Sequence, residues 1–424
     1  MDKYLLKYIR DISKEELTRK YIDFLKVDLD GFFYANGGDV NINYGALRKI
    51  DLRFYLSFIK NIVFSKSAAK YKFRERNILS FVSLPISLEK DYDINLIGSF
   101  LQPTNTAFIK NWDTIKFKWL LSHLITQRTF NEIVTKQMAL FLEEYNEKLT
   151  DYYSKYNFKA LFVSHGEPFL YKYHIDIFKK LKRPSFIFLH GLPAIYNLKT
   201  EKNSDYLLVW GDKIKKNYIN AGFDGDRIIV TGHQGFKSMP VIGKLRNSFD
   251  DILVATTASN VWSPHDWDYG TFPIYDSSLI VLYCYSVQSV LQRLGIKHVR
   301  LRLHPSVNKS WMKSFIDNDF YTLDTLNLSE SLNKATLVIG PTSTICLEAM
   351  FARVNYVVYE LGENKHDIHN FPLVPPFDGS DNNLIVVNTE EDLSYVLKNK
   401  FANSPNLLNG YLQPFDFGAI NNVL

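Results

Sequence analysis

Apolar and polar positions fall into two successive series of short apolar runs alternating with amphipathic stretches, separated by a Gly-, Pro- and Asn-containing lapse around residues 237–250. In the first series Ala160-Leu-Phe-Val163, Ser185-Phe-Ile-Phe-Leu189, Tyr206-Leu-Leu-Val-Trp210 and Arg227-Ile-Ile-Val230 are near-continuous apolar runs, which predict strands buried on both faces. His174 to Leu181 and Lys213 to Ala221 carry apolar residues at three- and four-residue spacing and predict the intervening helices. Upstream, Ile78-Leu-Ser-Phe-Val-Ser-Leu84 reads as a strand and Thr129 to Tyr156 as a long helix. Residues 1–75 are less regular, with helices predicted over Ser13 to Leu25 and about Ala46 to Phe64.

The second series opens with Asp251-Ile-Leu-Val-Ala255 as a strand running into the hydroxyl-rich Thr256-Thr257-Ala-Ser259. A long loop is predicted over Asn260 to Pro273, then a helix from Ser277 to Leu294 and a strand from Val299 to Leu303. Helices near Lys309 to Ile316 and Leu328 to Lys334 precede a strand at Leu337 to Ile339. Gly340-Pro341 breaks that strand, a helix follows from about Ile345, and Tyr356-Val-Val-Tyr359 is the next strand. Strands alternating with helices imply parallel, doubly wound sheets. The expectation is an α/β chain of two Rossmann-like domains with a cleft between them: residues 1–240, residues 241–400, and a tail at 401–424 crossing back to the first domain. The aromatic residues Tyr283, Tyr285, Phe315 and Phe320 are expected in the core.

Composition narrows the function classes. A chain of 424 residues with 46% hydrophobic content can bury two full cores. The net charge of +5 comes from Lys and Arg spread thinly, which argues against nucleic acid as a partner and fits an anionic substrate or a membrane surface. Cys284 and Cys346 have neither zinc spacing nor a disulfide framework, so a reducing, cytoplasmic setting is expected. The N-terminus lacks the features of a signal peptide, and the apolar run from Ser278 to Val290 is too short and too interrupted to span a membrane. At Tyr4, Leu5, Tyr8 and Ile9, a helix packed on its own domain is preferred to an interfacial one.

Candidate chemistry clusters at strand ends, where an open parallel sheet presents its ligand crevice. Leu337 to Gly340 delivers Thr342, Ser343 and Thr344 into a helix start, a place where free N–H groups and hydroxyls suit a phosphate. The strand Val299 to Leu303 alternates Arg300, Arg302 and His304 with apolar residues and ends at Pro305, bringing a second anion-binding device to the same edge. In the first half, Ser164-His-Gly-Glu-Pro168 and His190-Gly-Leu-Pro193 offer His165, Glu167 and His190 as candidates for a base with a pKa near ambient pH. Thr231-Gly-His-Gln-Gly235 is a further loop that would touch a donor or serve as a hinge. Asp28/Asp30, His265/Asp266/Asp268 and His366/Asp367/His369 have spacings compatible with a metal, but each is better explained as turn or loop text, and no metal site is assigned.

Phe188-Leu-His-Gly-Leu-Pro193, Val209-Trp-Gly-Asp-Lys213, Arg227-Ile-Ile-Val-Thr-Gly232, Arg302-Leu-His-Pro305 and Gly340-Pro-Thr-Ser-Thr344 with Glu348 together resemble bacterial GT-B glycosyltransferases of capsule and lipopolysaccharide synthesis. The likeness is greatest to branches using cytidine-activated donors, the sialyl- and Kdo-type transferases and the CDP-glycerol glycerophosphotransferases. It implies a donor-binding second domain and an acceptor-binding first domain. By the resemblance His304, Ser343 and Thr344 would meet the donor phosphate and Glu348 the ribose hydroxyls; Arg302, Thr256, Thr257 and Thr342, on the same strand ends and turn, are added as donor-side candidates. A CMP- or CDP-linked sugar donor is implied, with no further cofactor, and a glycan or lipid-linked acceptor reached at the inner membrane surface. The alternatives are a CDP-glycerol-type glycerophosphotransferase or a UDP-sugar epimerase on the same architecture, with a polysaccharide-binding scaffold as the non-enzymatic rival. The acidic base motif of the sialyl branch is missing here, so His190, Glu167 and His165 stand as the base candidates.

Overall fold

The structure is a computed structural model and describes residues 13–24, 77–82, 84, 93–96, 136–155, 157–166, 169–193, 196, 203–235, 243–257, 260–262, 273–275, 277–305, 307–362 and 365–424. Twelve of its strands form two six-stranded sheets, and every pairing within them is parallel. The α/β class and doubly wound layout expected from the alternating pattern are present.

The first sheet has the order β2-β1-β3-β4-β5-β6, from β1 (Asn77–Ser80), β2 (Asp93–Leu96), β3 (Phe158–Val163), β4 (Ser185–Phe188), β5 (Tyr206–Val209) and β6 (Ile228–Val230). Its crossovers include α1 (Lys136–Lys155), α2 (Phe169–Lys180) and α3 (Asp212–Asn220). Continuous apolar text is explained by burial on both faces. Leu161 and Val163 pack with the helices, while Ala160 and Phe162 point to the opposite side with Phe186, Phe188 and Leu208. That opposite side is covered by the end of the chain, where Phe415, Phe417 and Ile420 close over it and Phe417 lies 6.0 Å from the ring of Phe162.

The second sheet has the order β11-β10-β7-β12-β13-β14, from β7 (Ile252–Ala255), β10 (Val299–Arg302), β11 (Tyr321–Leu323), β12 (Leu337–Gly340), β13 (Asn355–Tyr359) and β14 (Val386–Val387). Counted within this half the order is 3-2-1-4-5-6, so the topological switch lies between β7 and β12. Helices α4 (Ser277–Arg293), α5 (Lys309–Lys313), α6 (Leu328–Lys334), α7 (Ile345–Phe351), α8 (Glu390–Lys398) and α9 (Asn406–Tyr411) complete it. On one face α4 and α8 cover Ile252, Val254, Ile339, Val357 and Tyr359. On the other, Leu253, Val338, Tyr356 and Val358 belong to a buried cluster shared with the helical face of the first sheet. Leu407, Leu408 and Tyr411 of α9 lie in this shared cluster, with α9 touching both α3 and α7. The chain therefore returns through the junction of the two halves before it reaches the first sheet.

Several expectations need correction. The predicted loop from Asn260 to Pro273 begins and ends in a small antiparallel pair, β8 (Asn260–Trp262) with β9 (Pro273–Tyr275). Helix α2 starts five residues before His174, because Phe169 and Tyr173 continue its buried stripe. Tyr283 and Phe320 are core residues as expected, but Tyr285 is 50% exposed and Phe315 44%. Tyr285 stands on the outer side of α4 and Phe315 just past α5, and the Tyr285 hydroxyl donates to the Phe315 carbonyl at 2.6 Å. Asp28/Asp30 and His265/Asp266/Asp268 lie outside the described residues.

Candidate functional site

The carboxyl ends of β3 and β4 carry His165 and His190, whose ring centroids are 4.2 Å apart in edge-to-face contact. Strand spacing explains the meeting, because β3 and β4 are neighbours and each histidine follows its strand by two residues. His165 also lies parallel to the ring of Tyr171, centroid to centroid 6.4 Å. Both imidazoles reach solvent, yet they sit in a recess surrounded by protein, and this desolvation lowers both pKa values. For His165 the neighbouring His190 adds to the depression; for His190 a hydrogen bond to the backbone of Ser164 opposes it. Neutral His190 donates one ring N–H to that carbonyl, which leaves its other nitrogen as a lone-pair acceptor. Glu167 lies outside the described residues.

Across the junction, β12 ends at Gly340 and feeds Pro341 to Thr344 into α7. Ser343 Oγ accepts the N–H of Ile345 at 3.3 Å, a local bond that closes the turn. Thr344 makes no cap of its own; its hydroxyl accepts the N–H of Leu192 at 2.9 Å. That bond joins the His190–Pro193 loop of the first half to the hydroxyl turn of the second. Thr342 departs from its expected role, since its N–H points to the buried carboxylate of Glu360 at 2.5 Å. Among the described residues no protein acceptor receives the N–H of Ser343 or Thr344.

His304 follows β10 and is exposed, its pKa lowered by desolvation. The Thr256 hydroxyl accepts its backbone N–H at 3.0 Å, so Thr256 is buried as a support for the His304 loop. Thr257, next along and half-buried, lies beyond the end of β7 at the switch point. Arg302 departs from an open phosphate ligand: its Nη1 donates to Asp324 Oδ2 at 2.7 Å and to the carbonyl of Leu326 at 2.9 Å. Asp324 also binds Arg300 and Ser331, and these bonds hold its pKa below the usual carboxylate value in spite of the opposing effect of burial. Arg302 still acts on Glu348, whose pKa burial raises and the guanidinium pulls back down. Carboxylate and guanidinium thus stand together below the turn.

The Thr231–Gly235 loop, read as a donor contact or hinge, holds the end of the chain. His233 N donates to Gln413 O at 3.1 Å and Asp416 N to Thr231 O at 2.8 Å. Gly232 has φ +75°, and a Cβ there would meet the Pro414 carbonyl oxygen. In the His366–His369 loop, Asp367 Oδ1 accepts the N–H groups of His369 and Phe371, both at 2.9 Å, so this carboxylate is spent on closing its own turn. Two shallow depressions of about 470 and 370 Å³, sharing Gln292 and Asp317, lie beside α4 and before β10, at the opposite end of the sheet from the histidines and hydroxyls.

Sequence reasoning missed Glu360, Tyr356 and Leu192. Tyr356 sits on β13 and Glu360 just past its end, both under the turn, and Leu192 contributes only a backbone N–H, which no residue type announces.

No family model matches the chain, and no curated protein matches it. Among solved structures it is similar to a UDP-N-acetylglucosamine 2-epimerase from Listeria monocytogenes described as putative, at 13% identity and a TM-score of 0.46, covering 82% of this chain and 95% of that one. It is similar also to the Methanocaldococcus jannaschii UDP-GlcNAc 2-epimerase in complex with UDP-GlcNAc and UDP, at 14% identity and 0.46, covering 81% and 96%. The lipopolysaccharide outer core galactosyltransferase WaaB is a further likeness, at 12% identity and 0.39, covering 68% and 81%. At these identities and scores the likenesses carry nothing about activity.

Proposed function

We propose that the chain is a nucleotide-sugar-dependent glycosyltransferase of surface-polysaccharide synthesis that works by direct displacement. The observation that carries this reading is the Leu192–Thr344 hydrogen bond, which draws the loop of His190 against the hydroxyl turn of the second half. A base and an anion-binding turn from separate sheets then border one crevice, as group transfer between two substrates requires.

His190 is the base, with His165 beside it. An acceptor hydroxyl gives its proton to the free nitrogen of His190 while its oxygen attacks the anomeric carbon. The bond from that carbon to the phosphate oxygen breaks, and its electron pair leaves with the nucleotide. The leaving phosphate is received by His304 and by the N–H groups of Ser343 and Thr344, donors whose directions are fixed before reaction. Glu348 takes the ribose hydroxyls, and Arg302, held by Asp324, keeps that carboxylate in place. Metal-independent transfer follows from this assignment of the leaving-group charge. Closure of the two halves would shield the donor from water.

The donor we favour is cytidine-activated, as the motif order suggests, and the acceptor is a glycan or lipid-linked glycan. Among the described residues no helix is long and apolar enough to cross a membrane, which fits a protein approaching such an acceptor at the membrane surface. The paired imidazoles also favour a second reading, an epimerase, where two acid/base groups act on one sugar. A thermal-shift panel of CMP, CDP, UDP and GDP, followed by incubation of the matching nucleotide sugar with and without acceptor, decides between them. A transferase gives slow hydrolysis without acceptor, whereas an epimerase gives a new sugar. No shift with any nucleotide would defeat both.

A further inference from the structure

The turn after β12 is held from beneath by two side chains of one strand and its end. Tyr356 donates its hydroxyl to the Pro341 carbonyl at 2.6 Å, and Glu360, just past β13, accepts the N–H of Thr342 at 2.5 Å. Gly340 is required by this arrangement, because a Cβ there would collide with the Tyr356 hydroxyl. Glu360 is 1% exposed, and its other oxygen accepts the N–H of Ile368 at 3.3 Å. Among the described residues it forms no ion pair. The titratable groups facing it are Asp367 from the 365–372 loop, Tyr356 from its own strand and Tyr283 from α4; His366 and His369 face Asp367. A carboxylate is thus buried directly behind the Thr342 peptide of the turn.

We propose that Glu360 is a positioning residue whose charge sets the anion affinity of the Thr342–Thr344 turn, so that a phosphate and a proton are taken up there together. This rests on the reading above that the turn receives the donor phosphate. A bound anion and an ionised Glu360 would repel one another, and among the described residues no cation is paired with that carboxylate to offset it. Protonation of the carboxylate relieves that repulsion. It leaves one carboxyl oxygen to accept the Thr342 N–H, so the shape of the turn survives while the charge goes. Burial, aided by Asp367 and opposed by the bonds from Thr342 and Ile368, raises the Glu360 pKa to about 7, within reach of such a change near neutrality. The linkage has a fixed sign: affinity rises as pH falls through this range, by at most about tenfold per pH unit for one proton. His304, with its lowered pKa, titrates below the ordinary imidazole range, whereas the pKa of Asp367 is raised along with that of Glu360, with which it shares the buried charge.

The test is isothermal calorimetry of the full chain with CMP-N-acetylneuraminate and UDP-N-acetylglucosamine, whose phosphates do not titrate near neutrality. Titrations run from pH 6.5 to 8.5 in two buffers of different ionisation heat. The expected result for the wild type is a dissociation constant that weakens three- to thirtyfold across the interval, with net proton uptake on binding. Glu360→Gln should bind at pH 8.5 about as tightly as the wild type does at pH 6.5, with no slope. Binding by the wild type without slope or proton uptake overturns the inference, as does an unchanged slope in a folded Glu360→Gln. The proton count on the wild type decides the matter even where the variant fails to fold. If neither probe binds the wild type at any pH, it is the phosphate reading of the turn that falls, and this inference goes with it.

Discussion

Gly191 stands so close to Thr344 that a Cβ built on it would lie 3.1 Å from the threonine Oγ1, and the next residue, Leu192, donates its N–H to that same oxygen. One hydroxyl in the second half thereby fixes the approach of the loop that carries His190. Thr344→Val should remove the acceptor, cost roughly 1–3 kcal/mol if the Leu192 N–H is left unsatisfied, and reduce transfer, while Thr344→Ser should restore both. Urea unfolding midpoints alongside transfer rates check this; equal behaviour of Val and Ser would remove the hydroxyl from the argument.

His190→Ala is expected to lower kcat by about 10²- to 10⁴-fold, the range for loss of a general base. Both histidines have depressed pKa values, so the base stays neutral on the acid side of the ordinary imidazole range. The acid limb of kcat/KM should accordingly fall below pH 6.5. A limb centred above neutrality would exclude this pair as the base.

His174 offers a stability test away from the site. It is 4% exposed, with Nδ1 at 2.8 Å from the Leu170 carbonyl and Nε2 at 3.0 Å from the Tyr153 hydroxyl, and burial lowers its pKa to about 4. The folded pKa lies below the unfolded one, so its contribution is present above about pH 6.5 and is lost as pH falls toward 4. The loss is on the order of 3 kcal/mol. Stability measured across that window in His174→Gln should show a shallower acid decline than the wild type; identical curves would refute the assignment.

Asp324 has a side chain only 1% exposed and binds both Arg300 and Arg302. Asp324→Ala leaves two guanidinium groups without their shared partner, and a loss of about 3–5 kcal/mol is expected. Chemical denaturation measures it. Because Arg302 then no longer has its anchor beside Glu348, nucleotide binding should weaken as well.

Gly211 and Gly410 permit close packing of α3 against α9, since a Cβ on Gly211 would lie 2.5 Å from the Gly410 carbonyl oxygen. Gly211→Ala should therefore displace the returning segment and destabilise the protein by roughly 1–3 kcal/mol through overpacking. Limited proteolysis should cut residues 405–424 faster in this variant. Unchanged protection would mean that the contact yields at little cost.

The alternating sheets were legible because most of the central strands are apolar on both sides and the crossover helices have their own period, as at Leu337–Gly340 followed by Ile345–Phe351. Two short edge strands of the second sheet, Tyr321–Leu323 and Val386–Val387, were not legible, since their pairing comes from the neighbour rather than from a pattern of their own. At the site, strand-end histidines and hydroxyls could be named one by one. Their partners could not, because Arg302 is diverted by Asp324, 22 positions away, and Thr344 is reached by Leu192, 152 positions away. Glu360 was hidden for a related reason: a carboxylate at a strand end looks solvent-facing until the loop at 365–372 is seen to cover it.

The return of residues 405–424 across the junction also imposes an order on assembly. Phe415, Phe417 and Ile420 cover a face of the first sheet, yet they follow the whole second sheet in the chain. During synthesis the earlier half must wait without this part of its cover until the later half has been made. Phe162, Phe186 and Leu208 thus gain their contacts with Phe417 and Ile420 only after the last residues are made, and a chain truncated before residue 405 would lack those contacts for good.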